Sequence, residues 1–129
     1  MSSCEILDLA KRLFYEVEQN DFPMLRNVIG RAYYSAFHKT QEIAVNKYSW
    51  PEKTNIKGGM HEKLYSRLDN HDLTDFEKRK TVAQIKSDLI RLKKKRVNAD
   101  YYLNISVTKL DADYCIRTAE QVNERLDRI

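Results

Sequence analysis

The chain has 129 residues, 42% hydrophobic and 33% charged, with 23 Lys and Arg against 19 Asp and Glu for a net charge of +4. That length builds one domain with a buried core and excludes two, and the composition excludes a disordered chain. A charge this small gives only a weak general pull toward anions, so local clustering of charge carries more information than the total.

Three glycines and two prolines leave few turns, which points to long helices. Ser2-Ser3-Cys4-Glu5 reads as a capping box. Ile6, Leu9, Ala10, Leu13, Phe14 and Val17 follow at helical spacing, predicting a first helix that ends near Asn20. Asp21 caps a second helix that tolerates Pro23 in its first turn. Its stripe runs from Leu25 through Val28, Ile29, Ala32, Tyr33, Ala36 and Phe37 to Ile43 and Ala44. Gly30 inside it implies close approach of another helix. Tyr48 to Gly59 is a loop, with Trp50 closing it over the core. A short helix then carries Met60, Leu64 and Leu68 inward and His61, Lys63 and Arg67 outward. Thr74-Asp75-Phe76-Glu77 is a second capping box, and a fourth helix buries Phe76, Val82, Ile85, Leu89 and Leu92 before fading around Val97. Asn98 to Ser106 forms a helix end and loop. Thr108 opens the last helix, with a stripe of Ala112, Cys115, Ala119, Val122, Leu126 and Ile129.

These stripes predict an all-α domain spanning residues 1–129, an antiparallel four- to five-helix up-and-down bundle. Cys4 and Cys115 form no C-x-x-C pair, so no metal site is expected, and two free thiols suit a reducing, cytoplasmic setting. The N-terminal stretch carries no signal-peptide pattern, and no apolar run approaches the ~18 residues of a membrane span.

The most lopsided stretch is Arg91-Leu92-Lys93-Lys94-Lys95-Arg96-Val97-Asn98-Ala99-Asp100-Tyr101-Tyr102, in which five of the first six residues are cationic. A positive run ending in a compact polar cluster suits a phosphate-bearing polymer. The competing reading is a solvated helix end whose cations favour the macrodipole, with Arg96 and Asp100 as a surface pair worth about 0.3–0.5 kcal/mol.

Three segments resemble a known family. Arg26-Asn27-Val28-Ile29-Gly30-Arg31-Ala32-Tyr33-Tyr34-Ser35-Ala36-Phe37-His38 resembles the second helix of HEPN domains. Gly59-Met60-His61-Glu62-Lys63-Leu64 is similar to a Gly-x-His-x-x-Leu element of one bacterial branch, and Arg96-Val97-Asn98-Ala99-Asp100-Tyr101 to its Arg-x-x-Ala-Asp-Tyr segment. The resemblance implies a helical bundle that pairs as a homodimer and acts on RNA, in a bacterial toxin–antitoxin or antiviral setting. It also implies a partner antitoxin or nucleotidyltransferase, with Tyr101 or Tyr102 as the acceptor of a nucleotidyl group. Catalytic members carry Arg, four to six residues, then His, and cut RNA without a metal. Here Tyr101 stands at the first of those positions, and all three histidines, His38, His61 and His71, precede Arg96.

Metal-free RNA cleavage needs a base for the 2′-hydroxyl, an acid for the leaving oxygen and a cation for the phosphorane. Arg96 suits the last, because its planar fork holds two phosphate oxygens and keeps its charge. Asp100 and Tyr101 are the neighbouring candidates for positioning or proton transfer. His38, four residues after Tyr34 and so on its face, is the candidate with a near-neutral pKa. Lys93, Lys94, Lys95, Arg96, Arg31 and Tyr34 make the expected RNA-binding set, with no cofactor. The alternative function is a non-catalytic dimeric subunit that scaffolds or regulates a partner enzyme or antitoxin.

Overall fold

The computed structural model describes residues 2–129 and places them in five α-helices, with no strand among the described residues. No helix is long and apolar enough to cross a membrane. Helix α1 spans Ser3–Glu16, and Ser2 Oγ accepts a hydrogen bond from the Glu5 amide at 3.2 Å. It stops short of Asn20 because Val17 turns extended and buries its side chain. Helix α2 spans Phe22–Gln41, capped by Asp21 Oδ1 on the Met24 amide at 3.3 Å. Beyond it the backbone widens into a π-helical turn, Glu42–Lys47, where the stripe predicts continued α-helix. The wider turn lets the Trp50 amide donate to the Ala44 carbonyl at 2.9 Å. Trp50 is buried, stacks on Tyr48 at 4.7 Å and donates its indole N–H to Asp72, closing the loop over the core.

Helices α3 (Met60–Asp69), α4 (Phe76–Tyr101) and α5 (Lys109–Asp127) complete the chain. Met60 and Phe76, expected inward, are 60% and 71% exposed. Met60 is the first residue of α3, ahead of the turn that buries Leu64, and Phe76 stands nine residues before Ile85, so it lies on the face of α4 opposite the buried stripe. Asp75, not Thr74, caps α4, accepting from the Glu77 amide at 2.9 Å. Arg67, expected outward, turns back to donate to the Trp50 carbonyl. The α5 stripe is buried from Ala112 to Leu126, and Ile129 is buried beyond it. Cys115 lies within that stripe, where burial pushes its thiol up to about 12, while Cys4 is exposed.

The central helix is α2, which packs against α1, α4 and α5 and buries Leu25, Val28, Ile29, Ala32, Tyr33, Ala36 and Phe37. Long-range contacts fix the directions, among them Lys95 near the end of α4 on Asp111 at the start of α5. Ser35 Oγ donates to the Ser3 carbonyl, Lys39 reaches Asn123 and Asp127, and Arg125 pairs with Asp88. Helices α2 and α5 therefore run one way, and α1 and α4 the other.

Helix α4 runs to Tyr101 rather than fading at Val97. Ala99 is small enough to bury completely against α2, and Arg26 of α2 holds the helix end. Its Nη1 donates to the Asn98 and Ala99 carbonyls at 3.2 and 2.8 Å, and its Nη2 to Leu103 and Ile105 at 3.4 and 2.6 Å. The Asn98 carbonyl also accepts from the Tyr102 amide at 3.3 Å, and Arg26 reaches this helix end and the turn after it from across the bundle, where the last carbonyls of a helix run short of amide donors.

The close helix approach expected at Gly30 does not require a glycine. A Cβ there would stand 3.9 Å from Asp100 Oδ1, an ordinary van der Waals distance. Gly30→Ala is accordingly expected to raise stability by about 0.5–1 kcal/mol in urea denaturation, the helix-propensity gain of alanine.

Candidate functional site

Successive residues of a helix point about 100° apart, so the cationic run of α4 divides among its neighbours. Lys93 pairs with Glu62 of α3 at 3.4 Å, Lys95 with Asp111 of α5 at 2.8 Å, and Arg91 with Asp88 at 3.7 Å. The Lys95 ammonium is held above its usual range by that hydrogen bond to Asp111. Lys94 is exposed, with no ion pair among the described residues. Lys93 and Lys95 are therefore helix-to-helix ties, Arg91 and Arg96 pair within α4, and Lys94 alone of the run has no ion pair among the described residues. The helix continues past it for five more residues.

Arg96 is the organised member. Its side chain is 14% exposed, its Nε donates to Asp100 Oδ2 at 3.0 Å and its Nη2 to Tyr34 Oη at 3.3 Å. The guanidinium carbon lies 5.2 Å from the Tyr34 ring, 5.7 Å from Tyr33 and 5.9 Å from Tyr101. Desolvated cation–π contacts of this kind stabilise by about 2 kcal/mol. Nη1 has no hydrogen-bond partner among the described residues. The surface-pair reading of Arg96 and Asp100 thus understates the contact, because the tyrosine pair of α2 also grips the guanidinium.

Of the candidate site residues on α2 and α4, Tyr34, Arg96 and Asp100 meet. His38 stacks on Tyr34 at 5.8 Å and lines a separate polar groove with Ser2, Ser3 and Glu42. Arg31 bends back to Asn27 Oδ1 at 2.8 Å. Tyr101 and Tyr102 are 67% and 51% exposed at the end of α4.

No family model matches the chain, and no curated protein or solved structure matches it significantly. Its chemistry is read from its own side chains. Among the described residues no three of His, Cys, Asp and Glu stand together as a metal-holding group.

Two residues of this region escape the sequence reading. Arg26 acts on carbonyls 72 to 79 residues away, a reach that no local spacing reveals. His61, expected outward, is half-buried, with its Nδ1 hydrogen-bonded to Tyr33 Oη and its ring 5.2 Å from Phe37. Its spacing of three and seven residues from Leu64 and Leu68, one helical face, is the signal that reveals it. Burial raises the Tyr33 phenol above its ordinary range, so Tyr33 keeps its proton beside His61. Burial first, then Lys93 and Arg96, hold His61 below its ordinary pKa against the pull of Glu62.

Unfolded His61 binds a proton near pH 6.5, and the folded site resists it, so stability falls as pH drops through about 6.5. Wild type is expected to lose urea midpoint between about pH 7.5 and 5.5, and His61→Gln to show a shallower loss. Parallel curves would remove His61 from that dependence.

Proposed function

We propose that this chain is a HEPN-like, antiparallel up-and-down bundle directed to RNA, which binds its target and does not cut it. Arg96 is the phosphate contact, with exposed Tyr101 as the stacking surface beside it. The observation that carries this reading is the preset guanidinium: Asp100 and Tyr34 hold two of its nitrogens, and the third is uncommitted. A cation fixed in this way loses little side-chain freedom on meeting a phosphate oxygen, which raises affinity. Binding is preferred to cleavage because neither His38 nor His61 hydrogen-bonds to Arg96, Asp100 or Tyr101, and a tyrosine, Tyr101, follows Arg96 after four intervening residues, where the resemblance expects a histidine. The test is incubation of the purified protein with total RNA. Retarded, intact RNA is the expected result. Fragments ending in cyclic phosphate, lost in Arg96→Ala, would restore the ribonuclease reading.

A second reading, the non-catalytic dimeric subunit that docks a partner enzyme or antitoxin, is favoured by the apolar end of the bundle. Phe22, Pro23, Leu103 and Ile105 border a groove of about 400 Å³ there, and Leu103 is 76% exposed. Exposed Tyr101 and Tyr102 adjoin it and would be open to a nucleotidyltransferase. Under this reading light scattering finds a dimer that Leu103→Asp dissociates, and RNA is not retarded.

A further inference from the structure

The free cations of α4 stand at its other end. Lys78, Arg79 and Lys80 have no ion pair among the described residues, unlike Arg91, Lys93, Lys95 and Arg96. They occupy the first turns of the helix, where positive charge opposes the macrodipole, so helix stability does not account for them. The nearby acids Asp75 and Glu77 take the favourable first-turn positions, Asp75 as the cap. Beside them Phe76 is 71% exposed. Arg79 and Lys80 follow it by three and four residues, and so share its face. With His71 these residues line an open hollow of about 510 Å³. His71 Nδ1 accepts from the Leu73 amide at 3.2 Å, which leaves Nε2 to carry a proton. A flat apolar ring flanked by two unpaired cations and a ring N–H matches a nucleobase with its adjoining phosphates, because every nucleotide sets a flat base beside a phosphate, whereas an acidic peptide offers a ring only where its sequence supplies an aromatic residue.

We infer that this hollow binds single-stranded RNA, stacking one base on Phe76 and holding the flanking phosphates on Arg79 and Lys80. The inference rests on the RNA-directed reading and adds a second contact, at the far end of α4 from Arg96. Because Phe76, Arg79 and Lys80 are exposed and unpaired, replacing them leaves the core untouched.

The experiment is fluorescence anisotropy with a labelled uridine oligomer, alongside thermal melts that confirm each variant is folded. Phe76→Ala is expected to weaken binding by about five- to a hundredfold, the loss of one stacked base, and Phe76→Tyr to retain it. Arg79→Gln with Lys80→Gln lowers the slope of log affinity against log salt by about 1.4, the release of two single-strand phosphates. Tight RNA binding that Phe76→Ala leaves unchanged overturns this site while the Arg96 reading stands. No RNA binding by wild type overturns both. Preference for a polyglutamate peptide over the oligomer also overturns it, and assigns the hollow to an acidic protein partner.

Discussion

Replacing Arg26 with alanine is expected to lower stability by about 2–3 kcal/mol, a fall in Tm on the order of 10 °C. The guanidinium makes four hydrogen bonds to carbonyls of residues 98, 99, 103 and 105, two of them at 2.8 Å or less. Hydrogen bonds to a charged donor each contribute about 1.5–3 kcal/mol. Water reaches part of this region and offsets some of the loss, so the total stays below the sum. Arg26→Lys recovers less than half, since an ammonium has no planar fork to span both carbonyl groups. Because the same carbonyls end α4, amide exchange should quicken over residues 98–107 before the rest of the bundle opens. A stability within about 0.5 kcal/mol of wild type would show that Arg26 does not hold this end.

The second large effect is expected at the ion pair between α4 and α5. Asp88 is 7% exposed, and Arg125 hydrogen-bonds its Oδ2 while Arg91 stands 3.7 Å from its Oδ1. Removing one partner of a buried pair strands the other charge, at a typical cost of about 3–5 kcal/mol. Arg91 and partial solvent access at Arg125 soften this, so Arg125→Met is expected to cost about 2–3 kcal/mol. The double variant Asp88→Leu with Arg125→Met, which removes both charges and keeps the volume, should lie within about 1 kcal/mol of wild type. A double variant as unstable as the single one would mean that the pair itself stabilises, not merely that an orphan charge destabilises.

The fold is legible in the sequence where burial follows one helix's own period. The α5 stripe from Ala112 to Leu126 needs only alternating steps of three and four, and all five of its residues are buried. Reading fails where an answer lies on another element. The run from Arg91 to Arg96 looks like free charge in one dimension, yet Glu62 and Asp111 that neutralise it come from α3 and α5. Met60 fits its stripe by spacing and is exposed in the first turn of α3, whereas Phe76 stands nine residues before Ile85, half a turn round the helix, and its exposure follows from that spacing. The π-helical turn after Gln41 leaves the apolar pattern unchanged and alters only the backbone hydrogen bonds, so no periodicity betrays it. At the candidate site, the pairing of Arg96 with Asp100 is local and readable at four residues' separation. Its grip by Tyr34 comes from 62 residues away, and the sequence offers only the chance of it.

The measurement that bears most directly on the proposed RNA contact is the salt dependence of single-stranded RNA binding by wild type and by Arg96→Gln, each verified as folded. One phosphate fewer should flatten the slope of log affinity against log salt by about 0.7 and weaken binding at every salt concentration. An unchanged slope and affinity in a folded Arg96→Gln protein would contradict the assignment of Arg96 to phosphate.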